Sequence, residues 1–178
     1  PAKTVQELVA YARTRTGEKL TFASAGVGTT QHLAGELFKA MANIDIQHVP
    51  YRGAAPVITD LLGGRLTMYF GAISPLIPLV REGKVRALAV TSAERFGASP
   101  DLPTMIEAGF PGFVSILSIG LMAPAGTSPA IIDKIHQDTL KVLALADVRA
   151  KLSDIGMEVI GNSPAEFAAA IKTETPQW

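Results

Sequence analysis

Apolar residues recur along the chain in short runs that glycines and polar residues interrupt. The run at 66–70 is nearly continuously apolar, which is typical of a strand buried on both faces of a sheet. The run at 85–91 has the β-branched and apolar character of another strand. On this basis we predict strands at 20–23, 46–49, 66–70, 85–91, 113–122 and 157–160.

Apolar residues at helical spacing separate these runs. Leu33, Leu37 and Phe38 follow the first strand with the period of one helix face, and Asn43 is the predicted end of that helix. An earlier helix has a capping pattern at its start and Gly17 as its predicted end. The predicted helices begin near Thr4, Thr29, Pro56, Ser74, Ser128, Asp147 and Ser163.

Strands that alternate with helices at short spacing predict an α/β fold with a mostly parallel sheet flanked by helices. The loops that follow parallel strands share one edge of the sheet, where such sheets bind ligands. We therefore expect the loops at 24–30, 50–54 and 71–74 to converge, with the end of the run at 85–91 beside them. Beyond about residue 122 the pattern is mainly helical, which predicts a tail of different character.

The stretch 24–30 carries the main chemical signal. Ser24, Ala25, Gly26, Val27 and Gly28 lie between a strand and a helix that Thr29 and Thr30 open. Glycines allow close approach of the main chain to a ligand, and a helix start presents unpaired N–H groups to an anion. This pattern predicts binding of a carboxylate or a similar small anion, although such turns also occur where nothing binds. It is neither a dinucleotide fingerprint nor a Walker A loop, because Gln31 replaces the third glycine and no Gly-Lys-Ser/Thr follows.

Composition narrows the function further. The 178 residues are 48% hydrophobic and 18% charged, so the chain can bury a sizeable core. Sixteen basic residues balance sixteen acidic ones, which argues against nucleic acid as the main partner. The sequence has no cysteine, and it has neither a metalloprotease helix motif nor a paired-carboxylate motif, so we expect no metal and no cofactor.

Five stretches, taken in this order and spacing, resemble the periplasmic solute-binding receptors of tripartite tricarboxylate transporters, the Bug family. They are FASAGVGTTQHLAGELF, IDIQHVPYRGAAPVITDLLGGRL, GKVRALAVTSAERF, DLPTMIEAGFPGF and GLMAPAGTSPAIIDKI. The resemblance covers nearly the whole chain and implies a two-lobed binding protein that closes by a hinge on a small carboxylate.

The resemblance also implies a domain organisation. Residues 1–120 correspond to the family's second, continuous lobe, and residues 121–178 to a tail that contributes to the first lobe. The N-terminal third of the family pattern is not present in this sequence. The expected location is the periplasm, with any signal peptide outside this sequence because Pro1-Ala2-Lys3 has no apolar signal core. The expected partners are the membrane subunits of a tripartite tricarboxylate transporter, and the missing lobe makes self-association a further expectation.

The family's glycine-rich loop maps onto residues 24–31, where it supplies N–H and hydroxyl groups to a ligand carboxylate. His32 either bonds the carboxylate or supports the loop, and Arg52 either grips a carboxylate in a bidentate manner or pairs with a surface acid. Many relatives carry an acid or amide where this chain has Gly71-Ala72, which favours a ligand without an amino group. The predicted ligand-binding residues are Ser24, Ala25, Gly26, Gly28, Thr29, Thr30, His32, Tyr51, Arg52, Gly71 and Thr91.

Two other functional classes remain open at this point. A serine-hydrolase trio can be assembled on paper from Ser24, His32 and Asp60, but no G-x-S-x-G elbow surrounds Ser24. We therefore expect no enzymatic activity and no catalytic residues. The other class is an assembly module that uses the helices of the tail. His48 and His136 are interpreted as packed or surface residues.

Overall fold

The computed structural model describes residues 2–15, 20–97 and 99–178. Close packing divides the chain into two compact units, Pro1–Leu117 (unit 1) and Ser118–Trp178 (unit 2). The predicted end of the first helix, Gly17, lies outside the described residues. None of the helices in the described ranges is both long enough and apolar enough to cross a membrane.

Unit 1 contains a parallel sheet with helices between its strands, as the alternating pattern predicted. The strands run in the order β2-β1-β3, so β1 is central, and both neighbours lie parallel to it. In chain order the elements of this unit are α1 (Val5–Thr14), β1 (Leu20–Ser24), α2 (Thr30–Ala42), β2 (Ile46–Pro50), α3 (Ala54–Leu62), β3 (Met68–Tyr69) and α4 (Ile77–Arg81).

The register of the sheet determines which residues meet beside the glycine turn. Phe22 of β1 pairs with His48 of β2, and Ser24 pairs with Pro50. The end of β1 is thus held next to the end of β2, where the connection to α3 begins. Because all three strands are parallel, their carboxyl ends share one edge, and the turn after β1 lies there.

Helix boundaries follow local capping. Thr29 is the N-cap of α2, and its hydroxyl accepts a hydrogen bond from the backbone of His32. Asn43 ends the same helix in the left-handed conformation, at φ 49°, as predicted. Thr4 caps α1 through the backbone of Glu7, whereas the Glu7 carboxylate accepts from the Lys3 N–H and so does not complete the predicted capping box.

The core of unit 1 is built around aromatic side chains. Phe22, Phe38 and Phe113 are almost completely buried, and Phe38 packs against the rings of Phe70 and Phe110. Aromatic pairs at such distances add to the stabilisation from apolar burial. This core holds β1 and α2 together and thereby fixes the connection between them.

Four strand predictions need correction. The third strand is shorter than predicted, Met68–Tyr69. The stretch 85–91 is not a strand of the sheet, because its one bridge joins Val90 to Thr104. The stretches 113–122 and 157–160 are also not strands within the described residues. A strand needs a hydrogen-bonded neighbour as well as apolar residues, and these stretches have no ladder partner among the described residues.

Unit 2 consists of helices joined by short connections: α5 (Pro129–Leu143), α6 (Ala146–Asp154), α7 (Pro164–Glu174) and a 3₁₀ turn (Thr175–Gln177). Ser163 and Glu166 form the predicted capping box at the start of α7. The N-cap of α6 is Leu145, whereas Asp147 lies in its first turn rather than at the predicted cap position. Within the described part of unit 2, each residue is at least partly exposed to solvent.

Candidate functional site

The turn between β1 and α2 requires glycine. Gly28 has φ 79°, a left-handed value that a residue with a side chain adopts only with strain, and Gly26 has φ 152°. No atom lies within 4 Å of the position that a Cβ on Gly28 would occupy. The need for glycine at position 28 therefore comes from backbone conformation and not from crowding, and the space beside it is open.

Protein atoms already bind part of the turn, which corrects the expectation of a fully open set of donors. The Ala25 N–H donates to the Gln31 side-chain oxygen at 2.7 Å. The Gly26 N–H donates to the Ser24 hydroxyl at 3.2 Å, and the Gly28 N–H donates to Nδ1 of His32 at 3.2 Å. These bonds make the turn rigid and remove three of its donors from direct ligand binding.

The start of α2 retains free donors. The N–H groups of Val27, Thr30 and Gln31 have no hydrogen-bond acceptor among the described residues. Thr30 and Gln31 belong to the first turn of a helix of 13 residues, at the positive end of its macrodipole. The Thr29 hydroxyl is engaged, since it donates to the Gly26 carbonyl at 2.7 Å and accepts from the His32 N–H. The arrangement can therefore receive an anion on the helix start and not on the whole turn.

Ser24 lies inside the protein and does not face the ligand edge. Its side chain is 0% exposed, and its hydroxyl is 2.7 Å from Nε2 of His48 and 2.9 Å from the Gly26 carbonyl. The predicted direct contact between this hydroxyl and a ligand therefore has no support in the geometry. Ser24 instead ties the end of β1 to β2 and to the turn.

The loop after β2 is attached to the turn by two backbone bonds. The Tyr51 N–H donates to the Ser24 carbonyl at 3.0 Å, and the Gly53 N–H donates to the Ala25 carbonyl at 3.1 Å. Arg52 lies between these two bonds, is exposed, and pairs with none of the described residues. The structure thus brings a free guanidinium to the loop beside the turn, and of the two alternatives for Arg52 it shows no pairing with an acid among the described residues; a ligand contact by Arg52 stays a prediction.

Tyr51 and Asp60 are engaged with each other. The Tyr51 hydroxyl donates to one oxygen of Asp60 at 2.6 Å, and the Arg65 guanidinium donates to the other at 2.8 Å. The hydrogen bond from Tyr51 and that from Arg65 lower the pKa of Asp60, and the same bond raises the pKa of Tyr51. Asp60 therefore orients no histidine, and the trio of Ser24, His32 and Asp60 is not assembled.

The two remaining predicted residues lie on other segments. Gly71 follows β3, and a Cβ there would lie 2.1 Å from the Tyr69 ring, so a glycine is needed for packing. The Thr91 hydroxyl donates to the Ser115 carbonyl at 2.7 Å. Because 85–91 is not a strand of the sheet, the reason for expecting Thr91 at the ligand edge is lost. A ligand contact by either residue stays a prediction.

Sequence reasoning missed two features of the site. Gln31 was noted because it stands where a dinucleotide fingerprint has its third glycine. Its side-chain oxygen in fact accepts a hydrogen bond from the Ala25 N–H, and this bond was not predicted. His48 was interpreted as a packed or edge residue, and it packs as expected, but its bond to Ser24 was not foreseen. The alternation of residues along 46–50 could have indicated that His48 faces one side of the sheet. No sequence signal identifies its partner.

The pattern that describes the tripartite tricarboxylate transporter family receptor, TctC, matches residues 1–178. A protein of Pseudomonas sp. (strain P51), named UPF0065 protein in the tcbD-tcbE intergenic region, is 38% identical over 175 residues, which are 98% of this chain and 52% of that protein. The chain thus spans about half the length of this relative.

Solved structures agree with this match. R. palustris Rpa4515 with adipate has a TM-score of 0.89 and 35% identity, covering 100% of this chain and 59% of that one. The periplasmic binding protein BugD has a TM-score of 0.85 and 32% identity, covering 100% and 60%. MatC from Rhodopseudomonas palustris with bound malate has a TM-score of 0.86 and 31% identity, covering 100% and 61%. The fold of unit 1 and unit 2 is therefore that of the periplasmic-binding-protein-like structures of this family.

Proposed function

The chain belongs to the tripartite tricarboxylate transporter receptor family, and from this premise we propose that it captures a small carboxylate for such a transporter. The proposed location is the periplasm, the compartment named for the similar protein BugD. The proposed partners are the membrane subunits of a tripartite tricarboxylate system. In this proposal residues 1–120 act as one lobe, residues 121–178 complete the other, and ligand capture proceeds by hinge closure.

One observation carries the proposal. The first turn of α2 presents the free N–H groups of Thr30 and Gln31, and the loop carrying the unpaired Arg52 is hydrogen-bonded to the preceding turn. Main-chain donors at the positive end of a helix, together with a guanidinium, suit a carboxylate. The adipate and malate in the similar structures are both dicarboxylates. We therefore infer that a di- or tricarboxylate is the class of ligand.

The hydrolase alternative lacks support from the geometry. A nucleophilic serine must reach substrate, whereas Ser24 is fully buried and its hydroxyl is surrounded by protein atoms. The family and the similar structures are binding proteins. We therefore propose a receptor without catalytic residues.

Titration calorimetry with adipate, malate, citrate, benzoate and glutamate tests the proposal. We expect at least one di- or tricarboxylate to bind, and Gly28→Val to weaken that binding roughly fivefold to a hundredfold because a β-branched residue strains the left-handed turn. Gly64→Val is the matched control, since Gly64 has a similar φ of 70° and open space around it but lies after α3. Absence of binding by every carboxylate would contradict the proposed function. Equal affinity of Gly28→Val and Gly64→Val would remove the turn from the site.

A further inference from the structure

Two histidines and one phenylalanine form a continuous stack beneath the glycine turn. The ring centroids of Phe22 and His48 are 4.8 Å apart, and those of His48 and His32 are 4.1 Å apart. Phe22 is fully buried on β1, His48 lies on β2 and His32 on the first turns of α2. The stack therefore joins three elements of unit 1 at the edge where the turn lies.

Each histidine is bonded to one end of the turn. Nδ1 of His32 accepts from the Gly28 N–H at 3.2 Å. Nε2 of His48 is 2.7 Å from the Ser24 hydroxyl, which in turn donates to the Gly26 carbonyl at 2.9 Å. With the single hydroxyl hydrogen of Ser24 given to Gly26, the hydrogen between Ser24 and His48 belongs to the imidazole. Both glycines of the turn are thus held through a histidine.

This arrangement requires a neutral His32. An imidazole that accepts at Nδ1 has a lone pair there, and a protonated ring has an N–H at both positions and no acceptor. Protonation of His32 therefore breaks its bond to Gly28. Protonation of both rings would also place two positive charges about 4 Å apart, which is unfavourable.

Both burial and nearby charged groups act on the pKa of His48. Burial and then the neighbouring His32 lower the pKa of His48, while Glu36 raises it and Lys39 lowers it. Glu36 and Lys39, both on α2, pair with each other at 2.9 Å and shift the pKa of His48 in opposite directions. The neighbours of His48 on β1, Phe22 and Ser24, carry no charge.

We propose that His32 and His48 are positioning residues of the carboxylate site: the pair holds the glycine turn, and protonation of His32 breaks its bond to Gly28 and thereby weakens ligand binding. The part that concerns binding rests on the proposed function, whereas the part that concerns the turn does not. Linkage gives the sign for His48 alone. Because its pKa is lowered in the folded state, the folded chain binds fewer protons there than the unfolded chain, so the contribution of neutral His48 to stability is lost as the pH falls below the ordinary histidine value.

The first test follows the ligand-free protein by ¹⁵N NMR from pH 8 to pH 5.5. In the wild type we expect the amide signals of Gly26 and Gly28 to move with a histidine titration. In His32→Gln the Gly28 signal should lose this pH dependence, and the pKa of His48 should rise because its potentially cationic neighbour is gone. His136→Gln, which changes the histidine of α5 in unit 2, is the matched control and should alter neither signal. A Gly28 signal that titrates equally in the wild type and His32→Gln would overturn the proposal.

The second test measures carboxylate affinity by calorimetry with malate and adipate at pH 7.5 and pH 6.0. The wild type should bind roughly threefold to tenfold more weakly at pH 6.0, the effect of about one lost hydrogen bond. His32→Gln should show a smaller change, and the ratio of variant to wild type at each pH cancels the ligand's own ionisation. Tighter binding by the wild type in acid would overturn the inference about affinity. If neither ligand binds at either pH, the proposed function and this inference about affinity both fail, while the NMR result still decides whether the pair positions the turn.

Discussion

Unit 1 (Pro1–Leu117) and unit 2 (Ser118–Trp178) both contain helices with apolar positions, but the two units bury those positions to different extents. In unit 1 the aromatic and aliphatic side chains of the strands and helices pack into a core that leaves Phe22, Phe38 and Phe113 almost without solvent contact. In unit 2 the helices also carry apolar residues, yet Ile131, Ile135 and Val142 remain about half exposed. The difference teaches that capping and spacing specify where a helix begins and ends, whereas burial of its apolar face needs a second surface.

The helices of unit 2 also illustrate how little stability local signals supply. The helices α5, α6 and α7 have 15, 9 and 11 residues. Isolated helices shorter than about 12–15 residues are marginal in water, and packing of an apolar face usually stabilises them. Within the described residues, the apolar positions of these helices are only partly covered. We therefore expect unit 1 to dominate the free energy of unfolding of this chain.

The largest expected effect is a direct test of that contrast. Phe38→Ala removes a buried ring that packs on Phe70 and Phe110, and should lower the free energy of unfolding by about 3–5 kcal/mol. Ile131→Ala, at a residue of α5 that is 53% exposed, should change it by no more than about 0.5 kcal/mol. Urea denaturation of both variants measures the difference. Similar losses of unfolding free energy in the two variants would contradict the expected difference between unit 1 and unit 2.

A smaller effect is expected from adding a methyl group to the core. A Cβ on Gly35 would lie 2.0 Å from the Phe22 ring, which is fully buried and stacked on His48 and so cannot move aside easily. Gly35→Ala should therefore destabilise the protein by about 1–3 kcal/mol, even though alanine favours a helix by about 1 kcal/mol. Gly97→Ala, where no atom lies within 4 Å, is the matched control. Thermal unfolding of the two variants measures this effect. A Gly35→Ala variant as stable as the wild type would show that the Phe22 ring moves to make room for the methyl group.

The smallest expected effect concerns two N-caps that share one type of hydrogen bond. Thr4 in unit 1 and Ser163 in unit 2 each accept a backbone hydrogen bond three residues later. Removing either cap costs about 1 kcal/mol. Hydrogen exchange should show fraying of the first turn in Ser163→Ala. In Thr4→Ala, α1 should stay protected because Val5 and Val9 are buried. Equal fraying at both sites would indicate that burial does not secure α1.

Some features of the candidate site depend on residues that are neighbours in sequence, and others depend on residues that are distant in sequence. The glycine turn and the N-cap Thr29 follow from residues that are neighbours in sequence, and both were predicted. The bond between Ser24 and His48 joins residues 24 apart and depends on the register of β1 and β2. It could not be predicted, because nothing in either segment alone specifies that register. The hydrogen bond between the Ala25 N–H and the Gln31 side chain was missed for a different reason, since several nearby acceptors could have bonded to that N–H.

The sequence by itself determined the caps at Thr29, Asn43 and Ser163 and the left-handed turn at Gly28, because each depends on hydrogen bonds or backbone preferences within a few residues. Its hydrophobic pattern also indicated the helices and the strands β1 and β2. Only the tertiary structure decided that 85–91 stays outside the sheet, that Ser24 is buried, and that two histidines stack beneath the turn. Those outcomes depend on which distant backbone and side-chain atoms are available as partners, and a strand or a buried polar group is stable only when such partners are in place.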